Sequence, residues 1–135
     1  MTVDHNVERG NPADAPQLAP AVDRVRTRAG RPPRTVTVDR GYGENAIEDD
    51  LRDLGMRNVV IPRKGKPSAG RRAEEHRPAF RRTIKWRPGV EGRISALNRG
   101  YGWGRTRIDG TEGAQIWVGH GVLAHKLVKI STLAA

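Results

Sequence analysis

Residues 35–61 read TVTVDRGYGENAIEDDLRDLGMRNVVI, and this stretch decides the fold class. Its opening run, Thr35 to Asp39, is β-branched and stops abruptly at Arg40-Gly41-Tyr42-Gly43, so a short buried strand runs into a tight glycine-rich turn. Glu44 to Leu54 then carries Ile47, Leu51 and Leu54 at helical spacing, with Gly55 as the stop. Asn58 to Ile61 is a second short apolar strand, closed by Pro62. Strand, helix and strand in that order predict a βαβ unit with parallel strands and a right-handed crossover. The fold class is therefore α/β.

Upstream, Thr2 to Val7 reads as a short strand and Gly10-Asn11-Pro12 as a turn. Asp14 occupies a helix N-cap position, with Pro16 just inside and Leu18, Val22 and Val25 at helical spacing. The helix stops near Ala29-Gly30, before Pro32 and Pro33. Downstream, Arg63 to Gly70 is a loop. A helix resumes from Arg71 with Phe80, Ile84 and Trp86 inward, breaks at Pro88-Gly89, and restarts over Val90 to Leu97 with Val90, Ile94 and Leu97 on one face. Gly100 to Gly104 (GYGWG) is a flexible aromatic turn. A last helix, about Glu112 to Leu133, packs Ile116, Leu123, Leu127 and Ile130 onto the sheet.

Charge is concentrated. The chain has 135 residues and a net charge of +10, and residues 62–107 hold 14 Lys and Arg against Glu74, Glu75 and Glu91, a balance of +11. The remainder, with 11 basic and 12 acidic residues, balances at −1. A basic stripe with interleaved aromatics is the electrostatic footprint of a nucleic acid partner; the plainer alternative is a solvated basic loop. With no cysteine, disulfides and Cys-based zinc sites are excluded. The most apolar stretch, Ala114 to Leu133, is interrupted by His120, His125, Lys126 and Lys129, so it reads as a core helix and not a membrane span. The N-terminus shows no signal peptide, and a cytoplasmic location is expected.

Two carboxylates draw attention. Asp39 stands at the C-terminal end of a strand, the edge at which open parallel sheets bind ligands, although an Asp before a turn also serves as a simple cap. Glu91 is the sole acid between Glu75 and Asp109; alone it reads as a surface Glu balancing arginines, with Arg87 and Arg93 placed to orient a carboxylate or hold a phosphate. His5, His76, His120 and His125 are too scattered to suggest a metal site.

Residues 36–67, VTVDRGYGENAIEDDLRDLGMRNVVIPRKGKP, resemble the second-aspartate region of bacterial insertion-sequence DDE transposases. Residues 86–110, WRPGVEGRISALNRGYGWGRTRIDG, resemble their third-acid region, in which an Arg precedes the catalytic Glu by four positions, as Arg87 precedes Glu91. The Lys usually found seven positions after that Glu is Asn98 here, and the Tyr usually found three before the Arg is Ile84. The tail EGAQIWVGHGVLAHKLVKI resembles the family's final helix, and GNPADAPQL its upstream helix start.

The resemblance implies a truncated RNase H-like fold: a short, mostly parallel sheet with packed helices. It implies one partial domain over 1–135, with the second strand and a helix in 1–34, the βαβ unit with Asp39 in 35–62, the basic segment with Glu91 in 63–111 and the C-terminal helix in 112–135. It implies Asp39 and Glu91 as catalytic, metal-holding acids and a pair of Mg²⁺ (or Mn²⁺) ions in the intact family site. It implies transposon-end and target DNA as partners, contacted through Arg63, Lys64, Lys66, Arg71, Arg72, Arg81, Arg82, Arg87, Arg99 and Arg105. A homo-oligomer or a full-length transposase is a further possible partner, no membrane is expected, and the place of action is the bacterial nucleoid. The family's first aspartate has no counterpart: Asp4 lies on the expected second strand and Asp14 caps a helix. The chain is therefore expected to be inactive alone. Two other readings stay open, a non-catalytic DNA-binding remnant and an unrelated basic RNA-binding protein.

Overall fold

The structure, a computed structural model, describes residues 4–10 and 12–134, apart from the side chains of Pro88, Val90 and Glu91. The chain divides into two compact units, one formed by residues 13–88 and the other by 1–12 together with 89–135.

The 13–88 unit holds the βαβ motif. Strand β1 (Thr35–Thr37) pairs in parallel with β2 (Asn58–Val60), in the register Thr35 to Asn58, Val36 to Val59 and Thr37 to Val60. Helix α1 (Leu18–Ala29) follows a short 3-10 turn, Ala15–Gln17, and ends where Gly30 turns left-handed, φ 67°. Helix α2 (Asn45–Asp53) crosses between the strands and buries Ile47, Glu48 and Leu51. Val22, Val36, Ile47, Leu51, Met56 and Ile61 form one apolar core, with Leu51 and Ile61 sealed completely from solvent. The expected α/β unit is present, and its elements end within two residues of the expected bounds.

Past β2, helix α3 (Ala69–Glu75) is capped by Ser68, whose hydroxyl accepts from the Arg71 amide at 3.2 Å. Helix α4 (Pro78–Trp86) begins at a proline, which lacks the N–H that a first helical turn leaves unpaired. Phe80 is buried and Ile84 half-buried, but Trp86 is 60% exposed, contrary to its expected inward placement.

In the other unit, α5 (Pro88–Gly100) buries Leu97 and leaves Ile94 exposed; the side chain of Val90, the third residue of the expected face, lies outside the described residues. Helix α6 (Gly110–Ala134) departs furthest from expectation. Ile116, Leu123, Leu127 and Ile130 are each about half exposed, while Gly113, Gly121, Val122 and His125 are buried. The Gly100–Gly104 turn docks on α6: the Trp103 indole N–H donates to the Val118 carbonyl at 3.1 Å, and that of Trp117 returns to the Gly102 carbonyl at 2.7 Å. A Cβ on Gly121 would come within 2.8 Å of the Trp103 indole nitrogen and of the Tyr101 carbonyl, so this close approach needs glycine. Of the strand expected at 2–7, Thr2 and Val3 lie outside the described residues. Asp4 to Val7 form no strand; the Gln115 side chain holds this segment by accepting from the Val7 amide at 2.7 Å and donating to the His5 carbonyl at 3.5 Å.

Candidate functional site

Asp39 lies two residues beyond the end of β1, still in extended backbone, and caps the 3-10 turn Arg40–Tyr42. Its Oδ1 accepts from the Gly41 amide at 2.7 Å. Capping occupies one carboxylate oxygen and fixes the side chain's direction. The other oxygen, Oδ2, stands 3.9 Å from Nη1 of Arg87, and the side chain is 52% exposed. Capping and ligand binding therefore do not compete: the turn orients an open carboxylate.

Immediately after the turn the chain passes very close to the loop behind β2. A Cβ on Gly43 would fall 2.0 Å from the Pro62 carbonyl oxygen and 2.7 Å from the Lys64 nitrogen. That proximity lets the Lys64 amide donate to the Gly43 carbonyl at 2.9 Å. The Lys64 ammonium also pairs with Glu44 at 2.5 Å, and this hydrogen bond and charge hold the Glu44 carboxyl below its usual pKa. Beside Asp39, burial pushes the Tyr42 hydroxyl above its ordinary pKa, and the negative charges of Asp14 and then Asp39 push in the same direction.

Behind the loop lies a network centred on Glu48, which was not among the expected site residues, and it draws in Arg71 and Arg63, which were. Glu48 is 3% exposed, and Arg71 donates to both of its oxygens, from Nη2 to Oε1 at 2.5 Å and from Nη1 to Oε2 at 3.3 Å. The same guanidinium reaches the Ile61 carbonyl at 2.7 Å, Glu74 at 3.1 Å and Glu75 at 3.3 Å, and its carbon sits 5.9 Å from the Phe80 ring centroid. Arg52 joins Glu48 at 3.1 Å, and Arg63 approaches it at 4.0 Å. Glu48 opens the acidic run Glu48-Asp49-Asp50, which reads as a solvated face; its position next to Ile47 on the helix was the available sign of burial.

The expected DNA-contacting residues differ in accessibility. Lys64, Lys66, Arg72, Arg81 and Arg82 are exposed in the 13–88 unit, and Arg99 and Arg105 are exposed in the other. Arg63 and Arg71 are turned inward, at 22% and 14% side-chain exposure, and Arg87 is partly covered at 31%. Asn98, at the position where the resemblance expects a lysine, is exposed. Arg87 has helical backbone and directly precedes α5, whose first turn holds Glu91; the Glu91 side chain lies outside the described residues.

Among the described residues no group of three His, Asp or Glu side chains is placed to hold a metal ion. Asp39 has the character of a single hard oxygen ligand, exposed and held by its turn. His5, His76, His120 and His125 contribute to no such group, and His125 is buried with its ring edge-on to Tyr101, centroids 5.2 Å apart. No helix among the described residues is long and apolar enough to cross a membrane. A groove of about 360 Å³ opens where the strands begin, lined by Thr35, Asn58, Arg57 and Arg77 among others, and the residues around Asp39 are not part of it.

Comparison with curated proteins and with solved structures gives no match to either. The family model for the transposase DDE domain matches residues 2–127, nearly the whole chain. The match spans the Asp39 turn, the basic segment and most of α6, and the α/β fold agrees with an RNase H-like transposase domain. This chain belongs to the transposase DDE domain family.

Proposed function

We propose that this chain is a fragment of the catalytic domain of an insertion-sequence transposase, with Asp39 and Glu91 as its second and third acids. The observation that carries the reading is the approach of Arg87 to Asp39 at 3.9 Å. That contact brings the arginine of one motif, four residues before Glu91, to the strand end that carries the other. An exposed carboxylate with an arginine beside it suits a phosphodiester: the guanidinium takes the phosphate charge, and the carboxylate shares a divalent ion with it.

Asp39 and Glu91 would hold Mg²⁺ or Mn²⁺; in such sites the ions activate the attacking oxygen and stabilise the leaving one. Lys64, Lys66, Arg72, Arg81, Arg82, Arg99 and Arg105 would grip the phosphates of transposon-end and target DNA without reading sequence. The chain would meet DNA in the bacterial cytoplasm, as an oligomer or beside a full-length transposase.

A second reading is a DNA-binding remnant without catalysis. It is favoured by Asn98 in place of the expected lysine and by a motif set that supplies two acids where the chemistry uses three. Under both readings the 135-residue chain binds duplex DNA, with an affinity that falls steeply as salt rises. Binding that persists unchanged across a salt titration would argue against both. A strand-cleavage assay in Mg²⁺ separates them from full activity. We expect no cleavage, because loss of a group that positions the metal and nucleophile costs on the order of 10³-fold in rate. Cleavage abolished by Asp39→Ala would mean that another acid, Asp4 or Asp14, completes the site.

A further inference from the structure

The loop after β2 is bonded on both sides by consecutive backbone groups. Toward α3, the Ile61 carbonyl accepts from Arg71 at 2.7 Å, and the Arg63 amide donates to Glu75 Oε1 at 2.7 Å. Toward the Asp39 turn, the Lys64 amide donates to the Gly43 carbonyl at 2.9 Å. Glu75 is itself held by the Arg71 Nε, 3.3 Å from the same Oε1, and Arg71 is anchored on the buried Glu48. A continuous run of bonds therefore leads from the core carboxylate of α2, through α3, to the loop that abuts the turn presenting Asp39.

This arrangement exceeds what chain closure requires. Pro62 offers no N–H, so the Arg63 amide is the first donor after Ile61, and it meets a carboxylate that is only 15% exposed. A charged acceptor makes a stronger bond than water or a neutral carbonyl would. The run Glu74-Glu75 in a basic segment reads as charge relief on a surface, but the second of these acids is turned in to meet the backbone.

We propose that Glu75, supported by Arg71, is a positioning residue for DNA: it fixes the backbone of Arg63 so that the Arg63–Lys66 loop is presented to the phosphate backbone in one register against the Asp39 turn. The inference rests on the DNA-handling reading above. Ordering the loop before DNA arrives removes part of the entropy cost of binding. Arg71, although basic and within the basic segment, then serves DNA through this brace and not through direct contact.

Two substitutions of equal charge test the proposal. Glu75→Gln and Glu75→Leu each remove one negative charge, but glutamine keeps an oxygen that accepts from the Arg63 amide and leucine does not. If charge alone matters, both variants bind duplex DNA more tightly than the native chain, and equally so. The brace predicts that E75Q binds at least as tightly as the native chain and that E75L binds about fivefold more weakly or worse. Amide hydrogen exchange supplies the second readout: in E75L the Arg63 and Lys64 amides exchange roughly tenfold faster while the α2 core amides are unchanged. Should E75L fail to fold by circular dichroism, Glu75→Met carries the same comparison. Equal DNA binding by the two variants overturns the proposal, as does unchanged exchange at Arg63. If the native chain itself does not bind duplex DNA, the DNA-handling reading has failed instead, and that result is seen before any variant is compared.

Discussion

Arg87 Nη1 lies 3.9 Å from Asp39 Oδ2, joining the end of α4 to the turn that follows β1. Both side chains are partly solvated, so the pair contributes little to stability, on the order of 1 kcal/mol or less. Its significance is positional: a guanidinium is held beside the one carboxylate oxygen that the cap leaves open. Arg87→Met should therefore leave the urea midpoint almost unchanged while weakening DNA binding severalfold. A large loss of stability without loss of DNA affinity would assign Arg87 a structural role.

The Gly43 position tests how tightly the turn and the loop are pressed together. Its φ of −79° is open to any residue, so the constraint is space and not backbone conformation. Gly43→Ala would drive a methyl group into the Pro62 carbonyl and separate Lys64 from the turn, at a cost of about 1–3 kcal/mol in chemical denaturation. Gly70→Ala is the matched control. It lies in α3 with nothing within 4 Å of the added methyl, and it should stabilise by roughly 0.5–1 kcal/mol.

The Glu48–Arg71 pair holds the unit together and is costly to break from one side. Glu48→Ala takes the most buried partner from a guanidinium that is 14% exposed and leaves it Glu74 and Glu75, and Arg71→Met leaves a carboxylate that is 4% exposed with Arg52 and the more distant Arg63. Each should cost up to about 3–5 kcal/mol, the loss of a fully unpaired buried charge being the upper bound. The double variant Glu48→Leu with Arg71→Met should lose clearly less than the sum of the single losses, because the two buried charges that face each other are removed together. Additive losses in denaturation would show that the two side chains act independently.

Alkaline pH reports on the neighbourhood of Asp39. Burial first, then Asp14, then Asp39 raise the Tyr42 pKa above 10.0 in the folded chain. Above that pH the unfolded chain loses a proton that the folded chain retains. The contribution to stability is therefore complete below pH 10.0 and is lost as pH rises through the folded pKa. In a Tyr101→Phe background Tyr42 is the sole tyrosine, and tyrosinate absorbance follows it directly. Asp14→Asn should lower its pKa more than Asp39→Asn does. Titration at or below 10.0 in the native chain would mean that the hydroxyl is neither buried nor faced by the two carboxylates.

The βαβ unit was legible because its elements obey simple periodicities: β-branched residues over Thr35–Thr37, Ile47 and Leu51 one helical turn apart, and glycine or proline where each element stops. Asp39 was legible for the same reason, as a carboxylate at a strand end before a turn. Helix α6 misleads because apolar spacing registers large side chains, whereas its packing depends on small ones. Gly113 and Gly121 admit Ile108 and the Tyr101-Gly102-Trp103 turn, leaving Leu123 and Leu127 outside. Glu48 and Glu75 were hidden in acidic runs that look solvated. Glu48 is buried against Arg71, which arrives from another helix, and Glu75 is turned in by the Arg63 amide of the loop; no local pattern in the chain reports either meeting.

Under the proposed assignment Asp39 and Glu91 hold the same pair of metal ions, so the distance between them decides whether that assignment stands. The chain has no cysteine, so Asp39→Cys with Glu91→Cys accepts a pair of nitroxide labels at those two positions alone. Two metal ions held about 4 Å apart require carboxylates within about 10 Å of each other. Strong dipolar broadening between the labels is expected, in the free chain and with DNA bound. Spectra equal to the sum of the two singly labelled chains would place the acids far apart and contradict the assignment.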